Sequence, residues 1–162
     1  MSDVKDADTN TGAGEDTGEK HTMFERIGGL VVIDRLVESF YRRMDTLPEA
    51  ATIRAMHGED LSPTKIALKQ YLCEWTGGPK LYTPAKGHPR LRQRHMGFKI
   101  GVAERDAWLL CMGGALQEVV ADDAARQEMY VALAKLADWM RNTAGNPHDT
   151  GRPTVVVKPE LE

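Results

Sequence analysis

Apolar residues recur at three- and four-residue steps through most of this chain, a period that suits helices and not half-buried strands. From Ile33 they run Ile33, Leu36, Val37, Phe40, Tyr41 and Met44. Leu68, Tyr71, Leu72 and Trp75 repeat the pattern, then Trp108, Cys111, Met112, Ala115 and Val119, then Met129, Leu133, Leu136 and Met140. Gly28-Gly29 sets off a short leading helix over residues 22–27. Thr46 and Pro48 are expected to open a short helix carrying Ile53 and Met56. Ser62-Pro63 reads as a helix start, with Ser62 as cap and Pro63 in the first turn. Gly77-Gly78-Pro79 ends that helix. Residues 79–90 read as loop, and a short helix is expected from Leu91 to Met96. No internal repeat and no strict alternation of useful length occurs, so the fold class is all-α.

The helical pattern occupies residues 22–143 and is expected to form one domain. Residues 1–21 hold six acids (Asp3, Asp6, Asp8, Glu15, Asp16, Glu19) against Lys5 and Lys20, with almost nothing apolar. Such a segment cannot offset its ordering entropy, so a disordered acidic extension is expected. Residues 144–162 carry Pro147, Pro153 and Pro159 and read as a flexible tail, whose Val155–Val157 run is its one apolar stretch. Net charge is −3 with no dense basic stripe, which argues against nucleic acid. The apolar run from Gly28 to Ile33 is far too short for a bilayer, and no secretory signal leads the chain, so a cytoplasmic location is expected. Cys73 and Cys111 both lie in helical apolar patterns and read as buried thiols, not a disulfide.

Phosphate loops, HExxH and GxSxG are all absent. What stands out is a set of polar-tipped side chains on apolar faces: Tyr41, His57, Tyr71, His95 and Trp108. Each taken alone has an ordinary structural reading, as a core residue with its polar tip satisfied. The histidine spacings fit no structural zinc site. A haem iron, however, needs only one neutral imidazole among apolar residues, and His95, flanked by Leu91, Met96, Phe98 and Ile100, meets that need.

Five ordered stretches extend this reading. They are Phe40-Tyr41, Met56 to Leu61 (MHGEDL), Trp75 to Tyr82 (WTGGPKLY), Gly87 to His95 (GHPRLRQRH) and Glu104 to Met112 (ERDAWLLCM). Together they closely resemble the group II truncated haemoglobins, in order and without a large gap from about Phe24 to Met140. The resemblance implies a two-over-two helical sandwich holding haem b. It places His95 at the proximal iron ligand, Tyr41 at the distal tyrosine and Trp108 at the tryptophan that characterises the group. His57 falls where the family varies between aromatic residues and histidine. Thr64 and Leu68 fall on distal positions that govern ligand access and polarity, and the small Thr64 implies an open route. Tyr71 matches a pocket-lining position, and Tyr82 and Arg94 match residues that hold the haem propionates. Phe40, Leu72, Met96, Ile100 and Met112 are expected to complete the lining. His88 matches a loop histidine that is not the ligand. Two departures are evident: Gly97 stands where proline is usual, which implies a looser loop after His95, and both polar extensions are longer than the domain needs.

The function implied is reversible binding of O2, CO and NO at the iron. Tyr41, His57 and Trp108 are expected to donate hydrogen bonds that make O2 tight and slow to leave. The same donors would serve an enzyme, a nitric oxide dioxygenase or a peroxidase-like catalyst. Since no flavin or nicotinamide motif is present, that activity implies a separate electron-donating reductase. A helical interaction module without cofactor is the third reading, and it implies a colourless protein. Either a monomer or a homodimer is compatible with the sequence.

Overall fold

A computed structural model describes residues 21–143; the two predicted terminal extensions, His21 apart, lie outside the described residues. Among the described residues there are eight α-helices, one 3-10 turn and no strand. The helices are α1 (Met23–Ile27), α2 (Leu30–Thr46), α3 (Ala51–Ala55), α4 (Ser62–Trp75), α5 (Tyr82–Lys86), α6 (Leu91–His95), α7 (Val102–Val119) and α8 (Asp123–Trp139). Helix α2 pairs with α4 and α7 pairs with α8, while α2 and α7 pack most extensively and join the two pairs.

The helix ends follow local chemistry. Thr22 Oγ1 accepts the Glu25 N–H at 3.2 Å and starts α1. Gly28 and Gly29 then turn the chain with φ of 112° and 76°, a region that side-chain-bearing residues avoid. The predicted face of α2 is buried from Ile33 to Met44. Burial of such aliphatic and aromatic side chains is worth about 1.5–3 kcal/mol each, the largest favourable contribution to this fold. On α4 the capping expectation needs correction. Ser62 is already helical and Leu61 precedes it, while Asp60 Oδ1 accepts the Ser62 N–H at 3.0 Å. Pro63 lies in the first turn as expected, where its missing N–H costs nothing.

Two further boundaries differ from the sequence reading. Thr46 closes α2 instead of opening the next helix, and Pro48–Ala50 form the 3-10 turn before α3. Residues 79–90 are not all loop, because α5 forms within them. Pro84 is tolerated there as the third residue of a one-turn helix, where no intrahelical acceptor awaits its nitrogen. Cys73 and Cys111 are both buried free thiols. The pairs are also tied electrostatically: Glu38 on α2 takes Lys65 of α4 at 2.9 Å, and Arg26 of α1 takes Glu128 of α8 at 2.5 Å. No helix among the described residues is long and apolar enough to cross a membrane.

Candidate functional site

Four side chains named from the sequence meet in one aromatic cluster. Phe40 and Tyr41 are neighbours on α2 with ring centroids 4.9 Å apart. Phe40 also meets Trp108 of α7 edge-on at 5.3 Å, and Tyr41 meets His57 at 5.9 Å. The cluster forms because α2 and α7 are the closest-packed helices, while the turn after α3 carries His57 back towards α2. Tyr41 is 3% exposed. Burial raises its pKa well above the ordinary phenol range, so the hydroxyl keeps its proton and remains a donor.

His57 has a defined tautomer. Its Nδ1 lies 2.8 Å from the Ile53 carbonyl oxygen, which can only accept, so Nδ1 carries the proton. The neutral ring then offers a lone pair at Nε2, not an N–H. The expected trio of donors therefore narrows to Tyr41 and Trp108 whenever His57 is neutral. The His57 ring also borders an open cleft of about 440 Å³ beside Met44, Leu47 and Arg54.

His95 ends α6 and is set the same way. Its Nδ1 lies 2.6 Å from the Leu91 carbonyl oxygen one turn earlier, which fixes the proton on Nδ1 and leaves the Nε2 lone pair free. This is the tautomer a metal-binding imidazole needs, with its second nitrogen already held. The residues after His95, expected to be loose around Gly97, are instead pinned. Asn142 Nδ2 donates to the carbonyls of His95 (3.1 Å) and Phe98 (2.7 Å), and Asn142 Oδ1 accepts the Ile100 N–H at 2.9 Å. The Asn142 N–H donates back to the Ile100 carbonyl at 2.9 Å. Arg92 adds a second clip, donating to the carbonyls of Trp139 (3.1 Å) and Arg141 (3.2 Å). The sequence reading missed both clips. Asn142 lies 47 residues from His95 in a polar segment, and no local signal distinguishes it.

The remaining predicted residues fall into smaller groups. Tyr71 and Tyr82 meet edge-on at 5.7 Å, and the Arg94 guanidinium lies 5.8 Å above the Tyr82 ring. Burial pushes the Tyr71 phenol up to about 12, with the Tyr82 phenol adding to the shift. Leu72 and Met112 are buried, while Thr64, Leu68 and Ile100 are half-buried. Met96 is 54% and Phe98 42% exposed, so apolar surface stands open immediately beside His95. His88 is exposed, and its Nδ1 accepts the Arg90 N–H at 3.1 Å, a loop-closing role.

These features fit haem: one anchored imidazole with a free lone pair, uncovered apolar side chains beside it, and an aromatic cluster that holds a buried tyrosine and a half-buried tryptophan. Two helix pairs, one on the other, together with that residue set, define a two-over-two globin. The profile of the bacterial-like globin family matches residues 22–142. The group 2 truncated hemoglobin YjbI of Bacillus subtilis is 36% identical over 119 residues, 74% of this chain and 87% of that protein. The group II 2-on-2 hemoglobin of Agrobacterium tumefaciens superposes with a TM-score of 0.75 at 42% identity, covering 78% of this chain and 98% of that one. The hemoglobin of Chloroflexus aurantiacus gives a TM-score of 0.71 at 39% identity, covering 76% of this chain and all of that one. The chain belongs to the bacterial-like globin family, within its group II truncated, 2-on-2 branch. Membership carries haem-based gas binding in general.

Proposed function

We propose that this chain would bind haem b through His95 Nε2 and reversibly hold O2, CO or NO at the iron, with Tyr41 and Trp108 as hydrogen-bond donors to the ligand. The observation that carries the reading is the 2.6 Å contact of His95 Nδ1 with the Leu91 carbonyl, which presents an unprotonated Nε2. Haem supplies an iron with one position open to a diatomic ligand. The Tyr41 hydroxyl and the Trp108 indole N–H are then donors in a site of low dielectric, where each bond counts for more than in water. Arg94, held against the Tyr82 ring, supplies positive charge for a propionate. Phe40, Leu72 and Met112 exclude water, and Thr64 leaves the access route open. Two donors worth about 0.5–1.5 kcal/mol each slow ligand escape by roughly one to two orders of magnitude. That favours holding O2, or chemistry on it, over rapid delivery. Turnover with nitric oxide or peroxide would draw on a separate reductase. A cytoplasmic location accords with the two buried free thiols.

The test is the visible spectrum of the holoprotein and of His95→Ala in ferric, ferrous and CO-bound forms. A strong Soret band that is lost or altered in His95→Ala, and restored by added imidazole, is the expected result. An unaltered spectrum in His95→Ala overturns the ligand assignment.

A further inference from the structure

Residues 75–103 carry six cations and no acid, in a chain whose net charge is −3. Five of them, Lys80, Lys86, Arg90, Arg94 and Lys99, are exposed. None of these five has a carboxylate partner among the described residues, whereas Lys65, Lys69, Arg105 and Arg126 on other surfaces all do. Helices α5 and α6 adjoin where three of the five are carried: Arg94 donates to the backbone carbonyl of Lys86 at 3.5 Å and lies over the ring of Tyr82, which follows Lys80 by two residues. Leu81, 40% exposed, lies within the same strip.

The acidic segment 1–20 joins the domain beside this strip. Thr22 packs on Gly77, where a Cβ would come 3.1 Å from the Thr22 side chain. The Phe24 N–H donates to the Thr76 carbonyl at 2.8 Å, and the Phe24 ring lies on Gly78. The described chain therefore begins next to the residues that lead directly into Pro79 and Lys80. Random-coil statistics give a chain of about 20 residues a reach of about 25 Å, enough to pass along α5 and α6. Tethering at that length places its carboxylates near the cations at millimolar effective concentration.

We propose that the acidic segment 1–20 docks on the basic strip formed by Lys80, Lys86 and Arg90, next to the elements that carry Tyr82, Arg94 and His95. Charge complementarity and the point of attachment carry the assignment. It does not depend on which residue holds the iron. The contact is made of exposed ion pairs, so it is loose and screened by salt. While it lasts, it covers the cationic surface beside the site from any other acidic protein.

The test attaches a nitroxide to Ala7→Cys in the full-length, CO-bound ferrous holoprotein. Cys73 and Cys111 are each 0% exposed and stay unlabelled. The expected result is paramagnetic broadening of the amides of Lys80, Leu81, Lys86 and Arg90 at low salt. It disappears at 1 M salt, where the screening length is about 3 Å. It also disappears in the Lys80→Glu/Lys86→Glu/Arg90→Glu variant, which leaves Arg94 and Tyr82 in place. Absent broadening, broadening spread over the whole domain, or broadening unchanged by salt and charge reversal overturns the proposal. Broadening that fades on dilution assigns the strip to a second copy's segment and likewise overturns it. If the triple variant fails to fold, replacing the six acids of segment 1–20 by their amides gives the same reading.

Discussion

Asn142→Ala should release the segment that follows His95. The substitution removes three hydrogen bonds: two donated to the carbonyls of His95 and Phe98, and one accepted from the Ile100 N–H. A typical net value is about 0.5–1.5 kcal/mol for each. The site is half-buried, so water can replace part of what is lost, which favours the lower half of that range. The three together come to about 2 kcal/mol. The backbone N–H of Asn142 keeps its bond to the Ile100 carbonyl, so the segment loosens and does not detach. The loss is local, and amide hydrogen exchange at Ile100 is the direct assay. A 2 kcal/mol change corresponds to roughly thirtyfold faster exchange at that amide, with little change in the buried face of α2. Asn142→Asp sharpens the test. It keeps an acceptor for the Ile100 N–H but sets a carboxylate against two carbonyl oxygens, so it must be at least as damaging as alanine. Unchanged exchange at Ile100 in Asn142→Ala, or a harmless Asn142→Asp, would refute the reasoning that the side-chain amide holds this segment.

Three other outcomes follow from the geometry. A Cβ on Gly97 meets nothing within 4 Å, and Gly97 is not among the glycines of positive φ, so Gly97→Ala should raise the unfolding free energy by about 0.4–1 kcal/mol in a urea titration; a destabilised variant would show that the turn needs glycine. Tyr41→Phe should speed O2 dissociation about two- to tenfold in stopped-flow measurements. Burial raises the pKa of that hydroxyl, so the ratio of wild type to variant should stay flat up to pH 10. Glu118 is held below the usual carboxylate range, first by the Ser39 hydroxyl and then by Arg42 and Arg43, which outweigh desolvation. A lowered folded pKa means its stabilisation is complete above the unfolded value of about 4.3 and is lost as pH falls. The stability gap between wild type and Glu118→Gln should therefore close below that pH, and a constant gap from pH 7 to 3 would count against the linkage.

The helices were legible because their causes are local. The buried face of α2 is written at i, i+3 and i+4 from Ile33 to Met44, and Gly28, Gly77 and Pro63 mark ends through their own backbone preferences. The boundaries that went wrong, Ser62 as cap and 79–90 as loop, lay where Asp60 and the start of a one-turn helix competed with simple propensity. The candidate site was proposed from an ordered set of residue types, from Tyr41 through His95 to Trp108, because a family resemblance preserves order without geometry. Tertiary structure alone decided the rest. It joined Phe40, Tyr41, His57 and Trp108 into one cluster, set the His57 proton on Nδ1 so that its free nitrogen accepts, and brought Asn142 across 47 residues to pin the segment that the Gly97 departure had seemed to loosen. A hydrogen bond between distant residues depends on how whole helices pack, and no short window of sequence contains that information; a helical face depends on neighbours three and four residues away, and the sequence contains all of it.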